Sequence, residues 1–166
     1  MLLNHGLESL TMSTSKIKIT PMYPTYVELC EMSLDEYPSI ETFLSSNEES
    51  YWLEHWTWGK SFLQYTGRNK SVHTYDRFRN EIERFLLWSF LEKKKPIDQL
   101  RKTDILDYAD FCWQPPVAWI GLNNLERFKI ENGYFTANES WRPYKIQVPK
   151  SQINKDIDRK KYRPSQ

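Results

Sequence analysis

The chain has 166 residues, 39% of them hydrophobic and 15% aromatic, with a formal net charge of +1. That length fits one ordinary domain with tails, and seven Trp, ten Tyr and eight Phe exclude a wholly disordered chain. The total charge points to no partner, the longest apolar runs fall far short of the ~20 residues that span a bilayer, and the start MLLNHGLESL lacks a signal-peptide pattern, so a cytoplasmic protein with no membrane partner is expected.

Residues 1–38 read as a variable N-terminal extension. KIKIT alternates and suits a short strand, after which Pro21, Pro24 and Pro38 interrupt regular structure. A first helix is expected from about Asn47 to Tyr65. Trp52, Trp56, Phe62 and Leu63 fall close to helical spacing and make one apolar stripe. Gly59 either weakens this helix or lets a neighbour pack closely, and Gly67 ends it. The second helix lies in HTYDRFRNEIERFLLW. Thr74 is its expected N-cap and Asp76 an acid in its first turn. Phe78, Ile82, Phe85, Leu86 and Phe90 recur on one wide face. Lys93, Lys94 and Lys95 suit its C-terminal end, and Pro96 stops it.

Thr103 is the expected cap of a third helix, DILDYADFCW, with Ile105, Leu106, Tyr108, Ala109 and Cys112 on its buried side. Pro115 and Pro116 end it. From Val117 to Tyr144 the pattern loosens. Gly121, Asn123, Asn124 and Gly133 mark turns, while Leu125, Phe128 and Ile130 suit a short helix. Residues 147–166 are polar and basic with no apolar period. The expected fold is all-α: a small helical bundle over residues 39–146, an irregular N-terminal extension, and an extended basic C-terminal tail.

Charge is unevenly spread. From Glu28 to Glu54 there are eight acids and no Lys or Arg; from Lys60 to Lys102 there are eleven bases and five acids; from Arg142 onward there are eight bases and two acids. This suits a polyanion-facing middle and tail, and it also suits a set of solvated faces. Lys60, Arg68 and Lys70 crowd the end of the first helix, and Ser71, His73 and Thr74 stand at the start of the second. There, free N–H groups and the positive dipole end favour an anion. Phosphate matches cations, hydroxyls and helix N–H groups together. Arg77 lies one turn on, and Lys102 is a further candidate. Arg79 and Arg84 are open between such a role and pairing with Glu81 and Glu83. His5, His55 and His73 have no partners at metal-ligand spacing, Cys30 and Cys112 match no metal or redox spacing, and no nucleotide-cradling glycine loop is present. No metal, cofactor, small-molecule substrate or catalytic residue is expected.

The stretch from His73 to Trp88 resembles the start of the core-binding domain of tyrosine recombinases, the phage-integrase family, through Thr74, Phe78, Arg79 and the ERFLLW segment. KPIDQLRKTDILDYADF, QPPVAWIG and ESWRPY are similar to later signposts of one bacterial branch, in the same order, so the resemblance covers about Glu48 to Tyr144. It implies a DNA-binding helical domain that clamps duplex DNA at a recombination half-site and meets other recombinase protomers, in a nucleoid-associated bacterial protein. The family's His-x-x-Arg box is missing: Glu8, Trp58 and Asp76 stand three residues after the histidines. The chain therefore reads as an N-terminal piece without the catalytic domain, not an enzyme by itself. Lys60, Arg68, Lys70, Ser71, Thr74, Arg77 and Lys102 are the expected DNA contacts. The other reading is a helical protein-interaction module that self-associates without DNA.

Overall fold

The computed structural model describes residues 18–48, 51–122 and 124–146. His5 and the basic tail lie outside them, as does part of KIKIT. The described helices are α1 (Tyr26–Glu31), α2 (Pro38–Ser45), α3 (Tyr51–Gly67), α4 (Val72–Trp88) and α5 (Lys102–Trp113). None of them is long and apolar enough to cross a membrane. Four short strands follow: β1 (Ile120–Gly121), β2 (Phe128–Glu131), β3 (Tyr134–Ala137) and β4 (Tyr144–Lys145). The protein is mostly helical with small sheets, which corrects the expectation of an all-helical bundle.

β2 forms where a short helix was expected from Leu125 through Phe128 to Ile130. β2 and β3 pair antiparallel, Phe128 opposite Ala137 and Glu131 opposite Tyr134. Their link is Asn132–Gly133, both at positive φ, 52° and 82°. Asn-Gly is the favoured two-residue hairpin loop because both positions must enter the left-handed region. β1 and β4 pair parallel, Ile120 beside Tyr144. The hairpin docks on α2 through aromatic rings: Tyr37 stacks on Phe135 at 4.6 Å and meets Phe128 edge-on at 5.3 Å.

α3 and α4 pack side by side, and α1 lies on α3. Trp52, Trp56 and Leu63 of α3 are buried as expected, but Phe62 is exposed. Gly59 is there for close packing. A Cβ at that position would run into the Tyr23 hydroxyl, which donates to the Trp56 carbonyl at 2.9 Å.

The segment Pro21-Met22-Tyr23-Pro24, inside the span read as an extension, is buried in the core. It belongs to no helix or sheet, so its backbone groups need side-chain partners. Proline carries no N–H, which leaves the amides of Met22 and Tyr23. Both donate to one carboxylate oxygen of Glu83, at 2.6 and 3.2 Å. The Met22 carbonyl accepts from the Trp56 indole at 3.0 Å, and the Pro24 carbonyl from the Tyr75 hydroxyl at 2.9 Å and from Arg79 at 3.0 Å. The other Glu83 oxygen is held by Arg127, from the loop before β2. Arg127 also donates to Asn80 at 2.6 Å and lies over the Trp141 ring at 4.8 Å.

This arrangement turns α4 away from its expected face. Tyr75, Glu83, Leu86, Leu87, Trp88 and Phe90 are buried, Ile82 and Phe85 are half-buried, and Phe78 is at the rim. Arg79 and Arg84 are both engaged within the protein. Arg79 pairs with Asp76 at 2.7 Å; Arg84 pairs with Glu81 at 3.1 Å and lies over the Tyr144 ring at 4.5 Å.

Past Trp88 the helix widens into a π turn, Ser89–Lys93, and Lys94 closes it in the left-handed region. Lys93 and Lys95 each reach Asp104 at 2.7 Å, and Lys93 also reaches Asp107 at 2.7 Å. Asp104 accepts the Arg101 amide at 2.8 Å, so α5 is started by Asp104, not by Thr103. These contacts, led by the two lysines, hold the Asp104 carboxyl well below the usual carboxylate range. They also set the rotation of α5. Tyr108, Phe111 and Cys112 turn partly inward, while Ile105, Leu106 and Ala109, expected on the buried side, are exposed. Cys30 and Cys112 are not bridged.

His55 is buried, stacked on Trp58 at 4.4 Å, and its Nε2 accepts the Ile97 amide at 2.9 Å. Burial pushes its pKa below the ordinary 6.5, against the opposing pull of Asp98 and Glu54.

Two outcomes are expected. Glu83→Ala strands a half-buried guanidinium and two buried amides, so it should cost roughly 3–5 kcal/mol. Urea denaturation measures this, and a loss under about 1 kcal/mol contradicts the arrangement. A histidine with a depressed pKa binds fewer protons folded than unfolded, so its contribution is full above pH 6.5 and fades as pH falls through the lowered value. His55→Gln keeps an acceptor for Ile97 and does not titrate. Its stability between about pH 5 and 7 should depend on pH less steeply than the parent's; equal slopes rule the effect out.

Candidate nucleic-acid interface

α3 and α4 meet at a tight corner. Gly67 closes α3, the Lys70 amide donates to the Gly67 carbonyl at 3.2 Å, and Asn69 makes the turn at φ 55°. α4 begins with Ser71 as its N-cap. The Ser71 hydroxyl accepts the Thr74 amide at 3.2 Å and shares a hydrogen bond with the Thr74 hydroxyl at 2.9 Å. Thr74 is thus the third helical residue, which corrects its expected role as cap. The cap moves because Val72 and His73 already adopt the helix. Asp76 then falls in the second turn, where Arg79 takes it, and no acid occupies the first turn.

The corner brings together five of the seven expected contact residues. Arg68, Lys70, Ser71 and Arg77 are exposed and Thr74 is half-buried. Among the described residues, Arg68, Lys70 and Arg77 make no ion pair. Arg68 lies over the Tyr65 ring, 5.9 Å away. The positive end of the α4 dipole points into this group of cations.

Lys60 and Lys102 are not part of the corner. Lys60 is half-buried two turns earlier, donating to the Met32 carbonyl at 3.4 Å and lying 5.7 Å from the Trp56 ring centre. Lys102 opens α5, which is clasped to the far end of α4. At 1.5 Å per residue that end is roughly 25 Å from Ser71.

Sequence reasoning missed the aromatic part of the corner. Tyr65, Thr66, Arg68, Lys70 and Phe78 line an open hollow of about 490 Å³. The Phe62 and Phe78 rings meet edge-to-face beside it, 6.1 Å apart. Phe62 and Phe78 follow core periodicity, so nothing in the pattern sets them apart; only the rotation of α4 around Glu83 brings Phe78 to the rim. Tyr65 falls off the stripe of Trp52, Trp56 and Leu63, and that offset was the available signal.

Among the described residues, no group of three or more His, Cys, Asp or Glu is placed to hold a metal ion. Comparison of the chain with protein-family models, with curated proteins and with solved structures finds no match.

Proposed function

We propose that the chain is a DNA-binding module that grips duplex DNA by its phosphates at the α3–α4 corner. The observation that carries this reading is the set of exposed cations, Arg68, Lys70 and Arg77, which make no ion pair among the described residues, around the open start of α4. Guanidinium and ammonium groups, a capping hydroxyl and helix N–H groups are the donors that phosphates take. The resemblance to tyrosine recombinases supports the same reading. In that setting the module holds one side of a recombination half-site, meets neighbouring protomers, and leaves strand cleavage to a separate catalytic domain. Lys60 and Lys102 drop out of the contact set, Lys60 because its ammonium is already engaged and Lys102 because it sits at the other end of α4.

A second reading has its own observation. Ile105, Leu106 and Trp113 of α5 are exposed apolar side chains on one helix, which suits a protein-interaction module.

Titration onto a DNA duplex at several salt concentrations tests the first reading. Three neutralised phosphates give a slope of log affinity against log salt near −2.7, about −0.9 for each. Lys70→Ala and Arg77→Ala should each weaken binding to all sequences alike and make that slope shallower by about 1. A duplex that stays unbound at low salt ends the reading. The second reading expects, in sedimentation velocity, an oligomer that salt does not dissolve and that Leu106→Asp disperses. A monomer under all conditions ends that one.

A further inference from the structure

The hollow at the corner offers ring faces as well as cations, and a phosphate needs no ring. Tyr65 is 73% exposed and Phe78 is 37% exposed. Phe78 packs nearly perpendicular to the Phe62 ring. Thr66 donates its hydroxyl to the Phe62 carbonyl at 2.8 Å, so the oxygen keeps lone pairs to accept from a ligand. Arg68 and Lys70 border the same hollow. Exposed aromatic faces beside exposed cations are the two parts of a platform for stacked bases.

An intact duplex fits the cations and not the rings. Its base faces are stacked inside the helix, and only base edges reach the grooves. An unpaired base presents its whole face to an aromatic side chain. Among the described residues, no acidic side chain lines the hollow to repel a phosphate.

We propose that this hollow binds an unpaired nucleotide of a single strand, its base against Tyr65 and Phe78 and its phosphate at Arg68 and Lys70. This rests on the reading of the corner as a nucleic-acid site and adds what that site distinguishes: strand regions that are open from those that are paired. Duplex phosphates meet Arg68, Lys70, Arg77 and the start of α4, while an open strand uses the same cations and also places a base in the hollow.

The test uses the full chain, fluorescence anisotropy at low salt, an oligothymidylate that does not pair with itself, and a blunt duplex. Tyr65→Ala should weaken oligothymidylate binding by roughly 5- to 150-fold, the range for loss of one stacked base, and weaken duplex binding far less, through the loss of its contact with Arg68 alone. Phe78→Ala should act in the same direction, Tyr65→Phe should bind like the parent, and Lys70→Ala should weaken both ligands. The proposal is overturned if Tyr65→Ala leaves oligothymidylate binding intact or weakens both ligands alike. Duplex binding without oligothymidylate binding overturns it while sparing the duplex reading, whereas failure of both ligands to bind ends both.

Discussion

The Glu83 carboxylate is where three parts of the chain that share no secondary structure are joined. One oxygen takes the two amides of the buried Met22–Tyr23 segment and the other takes Arg127. A buried carboxylate without partners would be untenable, and here both oxygens are filled. The converse is as important. The Pro21–Pro24 segment has no ladder of its own, and without Glu83 its amides would be orphaned in the core. Each group makes the burial of the other possible. Whether such an ion pair adds net stability over an apolar replacement depends on context, but it does select one docking of the segment, since no other acid is buried on that face of α4.

The candidate site follows from this node. With Glu83 facing inward, Tyr75 and Arg79 on the same side are drawn to the Pro24 carbonyl. The opposite flank, with Phe78 and Arg77, is turned to the rim. Asp76 is consumed by Arg79, so the local acid that could have neutralised the corner is pulled toward the core. At the far end of α4 two of the three lysines, Lys93 and Lys95, are bound by Asp104 and Asp107, while Lys94 is exposed.

Local patterns were legible where the structure relies on local rules. The positions of α3, α4 and α5 followed from periodicity, and Gly67 and the prolines set their ends. Trp52, Trp56 and Leu63 were identifiable as core. The cationic corner was also visible, because Arg68, Lys70, Ser71 and Arg77 are close in sequence. What escaped depended on distant partners. Glu83 looked like a surface acid beside Arg79 and Arg84, yet its partners lie 61 and 44 residues away. The rotation of α5 depends on Lys93 and Lys95 reaching Asp104 across a π turn that no pattern announces. The β2–β3 hairpin had a local signal in Asn132–Gly133, but apolar residues at Leu125, Phe128 and Ile130 suited a helix as well. Phe62 shows the limit of periodicity, which places a residue on a face without saying where the covering ends.

The two-sided filling of Glu83 also bears on the order in which the molecule forms. During synthesis the Pro21–Pro24 segment leaves the ribosome first, Glu83 later, and Arg127 later still. A chain grown only through α4 lacks Arg127, so one Glu83 oxygen has its native partner only after the loop before β2 has been made. Contacts of such long sequence separation slow folding, because chain entropy is lost before the contact repays it. The Glu83–Arg127 pair is therefore a long-range closure, tying the α3–α4 pair to the loop before β2.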